Sequence, residues 1–258
     1  MLECDLKVDS HLAILSLNRP EKLNAISKKL LSEFHRDLKS VETNPSIRCL
    51  IITGTGEKSF CVGADLEERR GMSEQEVLHF LDNFRDTLDL LESLPCPTLA
   101  AINGFAFGGG LEIALACDIR LMKESSQIGL TETKLGIIPG AGGTQRLTRL
   151  IGKSKAMSLI FRGKKINSTE ALKLGVVEEV YSDLTYWDDV KKFAEEILTS
   201  APIAVRLSKL AIRTGLEKAI EEGLDIEREY YKQTLQTKDR LEALRAFHEK
   251  RTPKFIGE

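Results

Sequence analysis

Apolar residues in the N-terminal part of the chain alternate between strand-like and helix-like spacing. Residues 6–18 suit a pair of short strands, and residues 48–53 form a mostly apolar run that predicts a buried strand. Between them, residues 27–41 carry an apolar stripe at helical spacing. The members of this stripe are Leu30, Leu31, Phe34, Leu38 and Val41. The pattern therefore predicts a strand pair, an amphipathic helix and a third strand.

A longer helical stripe follows the turn at residues 54–56. Ser73 and Glu76 match the capping-box pattern that begins a helix. The apolar stripe behind this cap consists of Val77, Phe80, Leu81, Phe84, Leu88 and Leu91. This predicted helix separates the loop at 60–67 from the next glycine-rich segment, so the two can meet only through folding.

The longest apolar segment, residues 98–118, passes through the glycines 108–110. It predicts a strand, a tight loop and a buried helix. Glu112 is the only charged residue of that helix. Because a carboxylate is costly to bury unless it is paired or used, we expect the pKa of Glu112 to lie above that of a solvated glutamate.

Shorter elements and then helices alone complete the chain. In order, the pattern predicts a strand at 119–122, structured loops at 127–146, helices at 144–150 and 153–161, a short helix capped by Ser168 and Thr169 and ending at Gly175, and a strand at 176–180. From about Trp187 only helices are predicted, including a charged amphipathic segment at 217–250. This order predicts an α/β core at 1–195 followed by a helical C-terminal region at 196–258.

Composition and charge narrow the range of functions. A chain of 258 residues with 42% hydrophobic content can bury a large core, and a net charge of -2 gives no reason to expect binding to nucleic acid or membranes. Five widely spaced cysteines without a Cys-x-x-Cys pair argue against a disulfide framework or a zinc site, and favour a reducing cytoplasm. We expect no export signal and no membrane span, hence a soluble protein.

The three glycines are the first candidate for chemistry. Glycines at a helix start leave backbone N–H groups that attract negative charge, either a resident anion such as phosphate or an oxyanion formed during a reaction. Close packing of the backbone is an equally weighted alternative. Gly109 and Glu112 are three residues apart, so they share one face of the predicted helix.

Two further positions add to this candidate site. Ala64, which follows Gly63 at a predicted strand end, can offer a second N–H group, although an ordinary loop explains it equally well. Glu132 is a second carboxylate in a mostly apolar context. Its alternative role is an ion pair with Lys134 or Arg146.

The chain resembles a known family in three motifs, which agree with that family in order and spacing as well as in sequence. They are Phe60-Cys-Val-Gly-Ala-Asp65, Asn103-Gly-Phe-Ala-Phe-Gly-Gly-Gly-Leu-Glu112, and the segment 130–147 with its Thr-Glu-Thr-Lys-Leu-Gly-Ile-Ile-Pro-Gly sequence. Together they resemble the crotonase (enoyl-CoA hydratase/isomerase) superfamily, and the likeness extends over essentially the whole chain. Within it, residues 131–135 and 237–242 most resemble the methylglutaconyl-CoA hydratases, one of which is also described as an AU-rich-RNA-binding protein.

The resemblance implies a crotonase (ClpP-like) fold of repeated ββα units with a helical C-terminal region that forms homotrimers, commonly as dimers of trimers. It implies that the N–H groups of Ala64 and Gly109 bind the thioester carbonyl oxygen. It further implies that Glu112 and Glu132 flank the reacting carbons. We assign Glu112 mainly to activation of water and Glu132 mainly to proton transfer at Cα.

The resemblance also implies the residues that bind the acyl-CoA substrate. These are Lys22, Leu23, Ala64, Asp65, Leu66, Glu67 and Gly109, with Phe247 and Lys250 reaching the nucleotide of a neighbouring subunit's ligand. Glu67 departs from the family pattern, in which many members carry lysine, so a contact to a CoA phosphate there is in doubt. No metal or redox cofactor is expected, since CoA is part of the substrate.

Retention of both glutamates favours a hydratase over an isomerase or another acyl-CoA enzyme of the superfamily. Short substrates such as crotonyl-CoA and branched dicarboxylic ones such as 3-methylglutaconyl-CoA both stay open, with a tilt towards the latter and so towards leucine degradation. An RNA-binding role for the helix at 27–39 is a remote alternative, because Ser32 and Glu33 interrupt its positive charge.

Overall fold

A computed structural model describes residues 2–258, which form ten strands and eleven α-helices. The strands are β1 (Cys4–Asp9), β2 (Leu12–Leu17), β3 (Cys49–Gly54), β4 (Ser59–Cys61), β5 (Thr98–Ile102), β6 (Phe105–Phe107), β7 (Ile119–Lys123), β8 (Gln127–Gly129), β9 (Ile166–Asn167) and β10 (Glu179–Tyr181). The helices are α1 (Lys28–Glu42), α2 (Leu66–Arg70), α3 (Glu74–Ser93), α4 (Gly109–Ala116), α5 (Gly143–Ile151), α6 (Lys153–Arg162), α7 (Ser168–Leu174), α8 (Tyr186–Leu198), α9 (Pro202–Gly215), α10 (Ile220–Thr234) and α11 (Lys238–Glu249).

The chain divides into two compact units. The first comprises the chain up to Leu94 together with Thr98–Lys191, and the second comprises Pro95–Pro97 and Lys192–Glu258. All ten strands belong to the first unit, whereas α9, α10 and α11 belong to the second. Within residues 2–258, no helix has the length and apolar character that a membrane crossing requires.

Two sheets form the framework of the first unit. The larger sheet has the order β1-β2-β3-β5-β7-β10, in which only the β1–β2 pair is antiparallel. The smaller sheet has the order β4-β6-β8-β9, and its first three strands are parallel. Because β3, β5 and β7 are completely or largely buried, they are apolar along their length rather than alternating.

The two sheets arise from repeated ββα units. In the successive pairs β3–β4, β5–β6 and β7–β8, the first strand joins the larger sheet and the second joins the smaller one. A helix, namely α3, α4 or α5, then ends each unit. The expected crotonase fold is therefore confirmed. Each ββα unit contributes one strand to each sheet and ends in a helix.

The glycines of α4 allow this helix to pack directly on β4. A Cβ atom at Gly110 would lie 2.0 Å from the carbonyl oxygen of Cys61, a distance that no side chain permits. Gly108 precedes the helix with φ +53° and ψ -125°, a conformation for which glycine is suited. The glycines 108–110 thus serve both purposes: they allow close packing of the backbone, and they begin a helix with free N–H groups.

Several local predictions are confirmed and others are corrected. The capping box of Ser73 and Glu76 is present at the start of α3. The cap of α7 is Asn167, whose side chain accepts the N–H of Glu170, so the prediction of Ser168 and Thr169 was wrong. The Ser168 hydroxyl instead donates to the carbonyl of Glu124. The strand predicted at 176–180 begins only at Glu179, and the segment 217–250 contains two helices, α10 and α11.

Candidate active site

A cavity of about 270 Å³ lies in the first unit, between the starts of α2 and α4 and the segment that follows β8. It brings together eight of the residues predicted for the site: Lys22, Ala64, Asp65, Leu66, Glu67, Gly109, Glu112 and Glu132. Leu23 is not among its lining residues. Phe247 and Lys250 belong to the second unit, at the end of α11, where Phe247 is 87% exposed.

The lining contains two backbone N–H groups that have no hydrogen-bond partner among residues 2–258. Gly109 is the first residue of α4, so its N–H has no acceptor in the helix. Ala64 is bracketed by hydrogen bonds to Ile26, whose N–H donates to Gly63 and whose carbonyl accepts from Asp65, at 2.8 and 3.0 Å. Since successive N–H groups of an extended chain alternate in direction, the Ala64 N–H points away from Ile26.

Gly63 allows the loop that carries Ala64 to lie against the backbone of Gly109. Gly63 has φ +92°, and a Cβ atom there would lie 3.1 Å from the nitrogen of Gly109. The loop after β4 and the first turn of α4 are therefore in contact. N–H donors on two adjoining segments of one cavity can stabilise an oxyanion on a substrate.

An ion pair fixes the loop that carries Ala64. The Arg19 guanidinium donates to the Asp65 carboxylate at 3.0 Å and to the carbonyl of Ala25 at 2.7 Å. Asp65 also caps α2 by accepting the N–H groups of Glu67 and Glu68. Burial raises the pKa of Asp65, but the Arg19 hydrogen bond and these N–H groups outweigh it and hold this pKa below its ordinary value.

Glu112 is buried and held in place by backbone N–H groups. Its Oε1 atom accepts hydrogen bonds from Ala141 and Gly143, both at 2.8 Å. Burial raises the pKa of Glu112 above its ordinary value, while the two N–H donors and the charge of Arg146 oppose the rise. Within residues 2–258, no hydrogen bond engages Oε2, so this oxygen is the one available to a ligand.

Glu132 has a different environment, although it lines the same cavity. It begins a short 3₁₀ turn, Glu132–Leu135, and its buried Oε2 has no hydrogen-bond partner among the residues described. Burial raises the pKa of Glu132 to about 7, and the negative charge of Glu112 adds to the rise. The alternative of an ion pair with Arg146 is not observed, because Arg146 pairs with Asp89 and Glu92.

The sequence alone did not reveal which groups hold Glu112, or that Arg69 lines the cavity in addition to the predicted Lys22. The loop at 141–143 lies about thirty residues from Glu112, and Arg146 braces it by donating to the Ala141 carbonyl at 2.9 Å. Arg69 of α2 also lines the cavity. Its spacing of three from Leu66 on a helix that Asp65 caps is the signal by which it could have been found. No group of three or more His, Cys, Asp or Glu side chains in residues 2–258 is arranged to hold a metal ion.

Comparisons with known proteins agree along the whole chain. The family profile described as "Enoyl-CoA hydratase/isomerase" matches residues 7–258. An enoyl-CoA isomerase/hydratase of Mycosarcoma maydis is 47% identical over 252 residues, covering 94% of this chain and 92% of that protein. The mitochondrial methylglutaconyl-CoA hydratase of Mus musculus is 44% identical over 251 residues, covering 96% of this chain and 80% of that protein. The crystal structure of an enoyl-CoA hydratase from Bacillus anthracis matches with a TM-score of 0.97 and 46% identity, over 99% of this chain and 100% of that chain.

Proposed function

The chain belongs to the enoyl-CoA hydratase/isomerase family, whose members act on acyl-CoA substrates, and we propose that it adds water across the double bond of a 2-enoyl-CoA thioester. One observation carries this proposal. Two carboxyl groups, of Glu112 and Glu132, line one cavity together with the free N–H groups of Ala64 and Gly109. Hydration requires a base, an acid and an oxyanion site, and these four groups can supply them.

The two N–H groups act on the thioester carbonyl. When water attacks Cβ, the double-bond electrons move towards the carbonyl oxygen, which gains negative charge. Donors at Ala64 and Gly109 stabilise this enolate-like oxygen, each by roughly 2.7–4 kcal/mol if they resemble other oxyanion holes. Because the donors are fixed before the reaction, they need not reorganise during it.

The two glutamates divide the proton transfers. Glu112, whose ionised form is favoured by two N–H donors, takes a proton from water as the oxygen bonds to Cβ. Glu132, whose pKa is raised to about 7, is partly protonated at neutral pH and delivers its proton to Cα. The product is a 3-hydroxyacyl-CoA, and exchange with solvent restores the proton to Glu132 and removes the one on Glu112.

Hydration of crotonyl-CoA tests the proposal through loss of the conjugated thioester absorbance. We expect Glu112→Gln and Glu132→Gln each to lower kcat by roughly 10²–10⁴-fold, the usual contribution of a general acid or base. Glu57→Gln, which changes an exposed carboxylate outside the cavity, should leave kcat unchanged. A folded wild-type protein that hydrates no 2-enoyl-CoA would refute the proposal.

A double-bond isomerase is the second candidate, since one of the compared relatives is named an isomerase/hydratase. Isomerisation moves a proton between Cα and Cγ, uses no water and needs a single carboxyl group. Conversion of a 3-enoyl-CoA to the 2-enoyl isomer without hydration, abolished by only one of the two Gln variants, would favour this function.

The remaining predictions about partners are part of the same proposal. We propose no RNA partner, because Lys28, Lys29, Arg36 and Lys39 of α1 each lie within 4.0 Å of a carboxylate, which reduces the positive field that RNA binding needs. Water and the thioester supply every reacting atom, so the proposed reaction needs no cofactor. The five cysteines are buried thiols, which supports a reducing compartment such as the cytoplasm.

A further inference from the structure

Arg69 is a cation in the wall of the cavity, and its charge is not paired by any residue of the part of the chain that the structure describes. Lys22 is the other cation of the lining, and it pairs with Glu67 at 2.6 Å. The Arg69 guanidinium forms no hydrogen bond or ion pair with the described residues 2–258. Because a partly buried guanidinium gains free energy when it is paired, this side chain is suited to an anion brought by the ligand.

The position of Arg69 on α2 indicates which part of the substrate it faces. Leu66 and Arg69 are three residues apart, lie on one face of the helix and both line the cavity. Glu67 is two residues from Arg69, hence roughly on the opposite side, where it meets Lys22. Because Arg69 lines the same cavity as Glu112 and Glu132, it faces the acyl group on which these two carboxyl groups act.

The size and walls of the cavity restrict that acyl group. About 270 Å³ is less than the volume of typical ligand sites, so it suits a short acyl chain and its thioester rather than a whole CoA. Apolar side chains, namely Phe80, Leu81, Phe84, Leu135, Ile137 and Ile138, line it beside Arg69. An uncharged alkyl chain would remove water from the Arg69 guanidinium without providing a hydrogen-bond partner. This loss of hydration costs free energy and so opposes binding.

We infer that Arg69 is a specificity-determining residue that binds the distal carboxylate of a short dicarboxylic 2-enoyl-CoA. The planar guanidinium pairs with a carboxylate through two parallel hydrogen bonds, which a lysine ammonium cannot reproduce. This inference rests on the proposed function, since it concerns the acyl end of the same cavity. It selects the dicarboxylic substrates from the two classes that the sequence left open.

Binding of saturated thioesters tests the inference without requiring turnover. Glutaryl-CoA and valeryl-CoA have five-carbon acyl chains and differ in the distal carboxylate. Calorimetry with the wild-type protein should give at least about tenfold tighter binding of glutaryl-CoA, as expected for a charge-assisted pair. Arg69→Gln should abolish this preference, Arg69→Lys should retain part of it, and Arg70→Gln, which changes an exposed neighbour outside the cavity, should retain all of it.

The outcomes separate this inference from the proposed function. Equal or tighter wild-type binding of valeryl-CoA, or a preference that survives in Arg69→Gln, would overturn the role of Arg69, even if crotonyl-CoA is hydrated. Conversely, a preference lost only in Arg69→Gln would support the inference even in a protein that hydrates nothing. Comparable weakening of both ligands by Arg69→Gln would also overturn it, because a general structural role has that effect.

Discussion

Glu112 and Glu132 are the same residue type in one cavity, yet their surroundings give them different properties. Glu112 accepts two N–H groups that favour its ionised form, whereas the Oε2 atom of Glu132 has no donor within residues 2–258. Burial raises the pKa of both, to about 7 in the case of Glu132. This difference supports the division into a base and an acid, which the sequence could suggest only by family resemblance.

The pH dependence of hydration should report this division. Glu132 must carry a proton to donate it, so kcat/KM for crotonyl-CoA should fall as pH rises through about 7. Towards acidic pH the rate should fall again as Glu112 becomes protonated. Initial rates from about pH 5.5 to about 9, with circular dichroism to verify folding, provide the measurement. A rate that instead rises through pH 7 would assign the essential base to Glu132.

The chemical role of a residue could be predicted from the sequence only where its side chain is unusual among its sequence neighbours. Glu112 is such a case, because a charge within an apolar helix demands an explanation. Arg69 contradicts nothing locally, since arginine is ordinary on a short charged helix. The N–H groups of Ala141 and Gly143 carry no side-chain signal, and only tertiary folding brings them to Glu112.

At the scale of elements, the contact of α4 with β4 fixes the position of the first turn of α4. A Cβ atom at Gly110 would overlap the backbone of Cys61. Because Cys61 belongs to the buried strand β4, its backbone cannot easily move away. Any side chain at Gly110 must therefore displace the first turn of α4. That turn contains Gly109, so the displacement would alter the proposed oxyanion site.

Gly110→Ala should accordingly impair both activity and folding. We expect a loss of about 1–3 kcal/mol in the free energy of unfolding, typical of overpacking, and a decrease of at least about tenfold in kcat/KM. Gly71→Ala is the matched control, since its Cβ would make an ordinary contact of 3.8 Å at φ -88°. Denaturant titration and crotonyl-CoA kinetics measure the two effects. Full activity in Gly110→Ala would show that the helix position is not critical.

Most elements could be predicted from the sequence because their apolar spacing or capping residues are local. The helices α1 and α3 and the buried strand β3 follow from such patterns. By contrast, the start of β10 depends on pairing with β7, where Glu179 meets Leu121, and this contact spans about sixty residues. The cap of α7 was misplaced because three successive residues, Asn167, Ser168 and Thr169, are all suitable capping types.

For the whole molecule, the second unit has more exposed apolar side chains than a soluble surface favours. Ile212, Leu216, Ile220 and Leu224 of α9, α10 and their connection are each more than half exposed. Such a surface is typical of a contact with further subunits. It supports the proposal, made from family resemblance, that the protein forms a trimer or a dimer of trimers and that Phe247 and Lys250 serve a neighbour's ligand.

Substrates with and without the nucleotide should test the role of the second unit. If Phe247 and Lys250 contact the nucleotide, Lys250→Ala should raise KM for crotonyl-CoA by roughly tenfold, the value of one lost charge-assisted contact, and Phe247→Ala should raise it through loss of an aromatic contact. KM for crotonyl-pantetheine, which lacks the nucleotide, should not change and serves as the internal control. Equal effects on both substrates would remove these residues from the nucleotide site.

The unpartnered oxygen of Glu132 makes the resting protein less stable than its fold allows. The folded chain binds the Glu132 proton more tightly than the unfolded chain does, so this group favours folding most at acidic pH, and its support is lost as pH rises through about 7. An apolar residue there would avoid this loss. Selection for heat resistance alone, at neutral pH, would therefore favour an apolar residue at position 132.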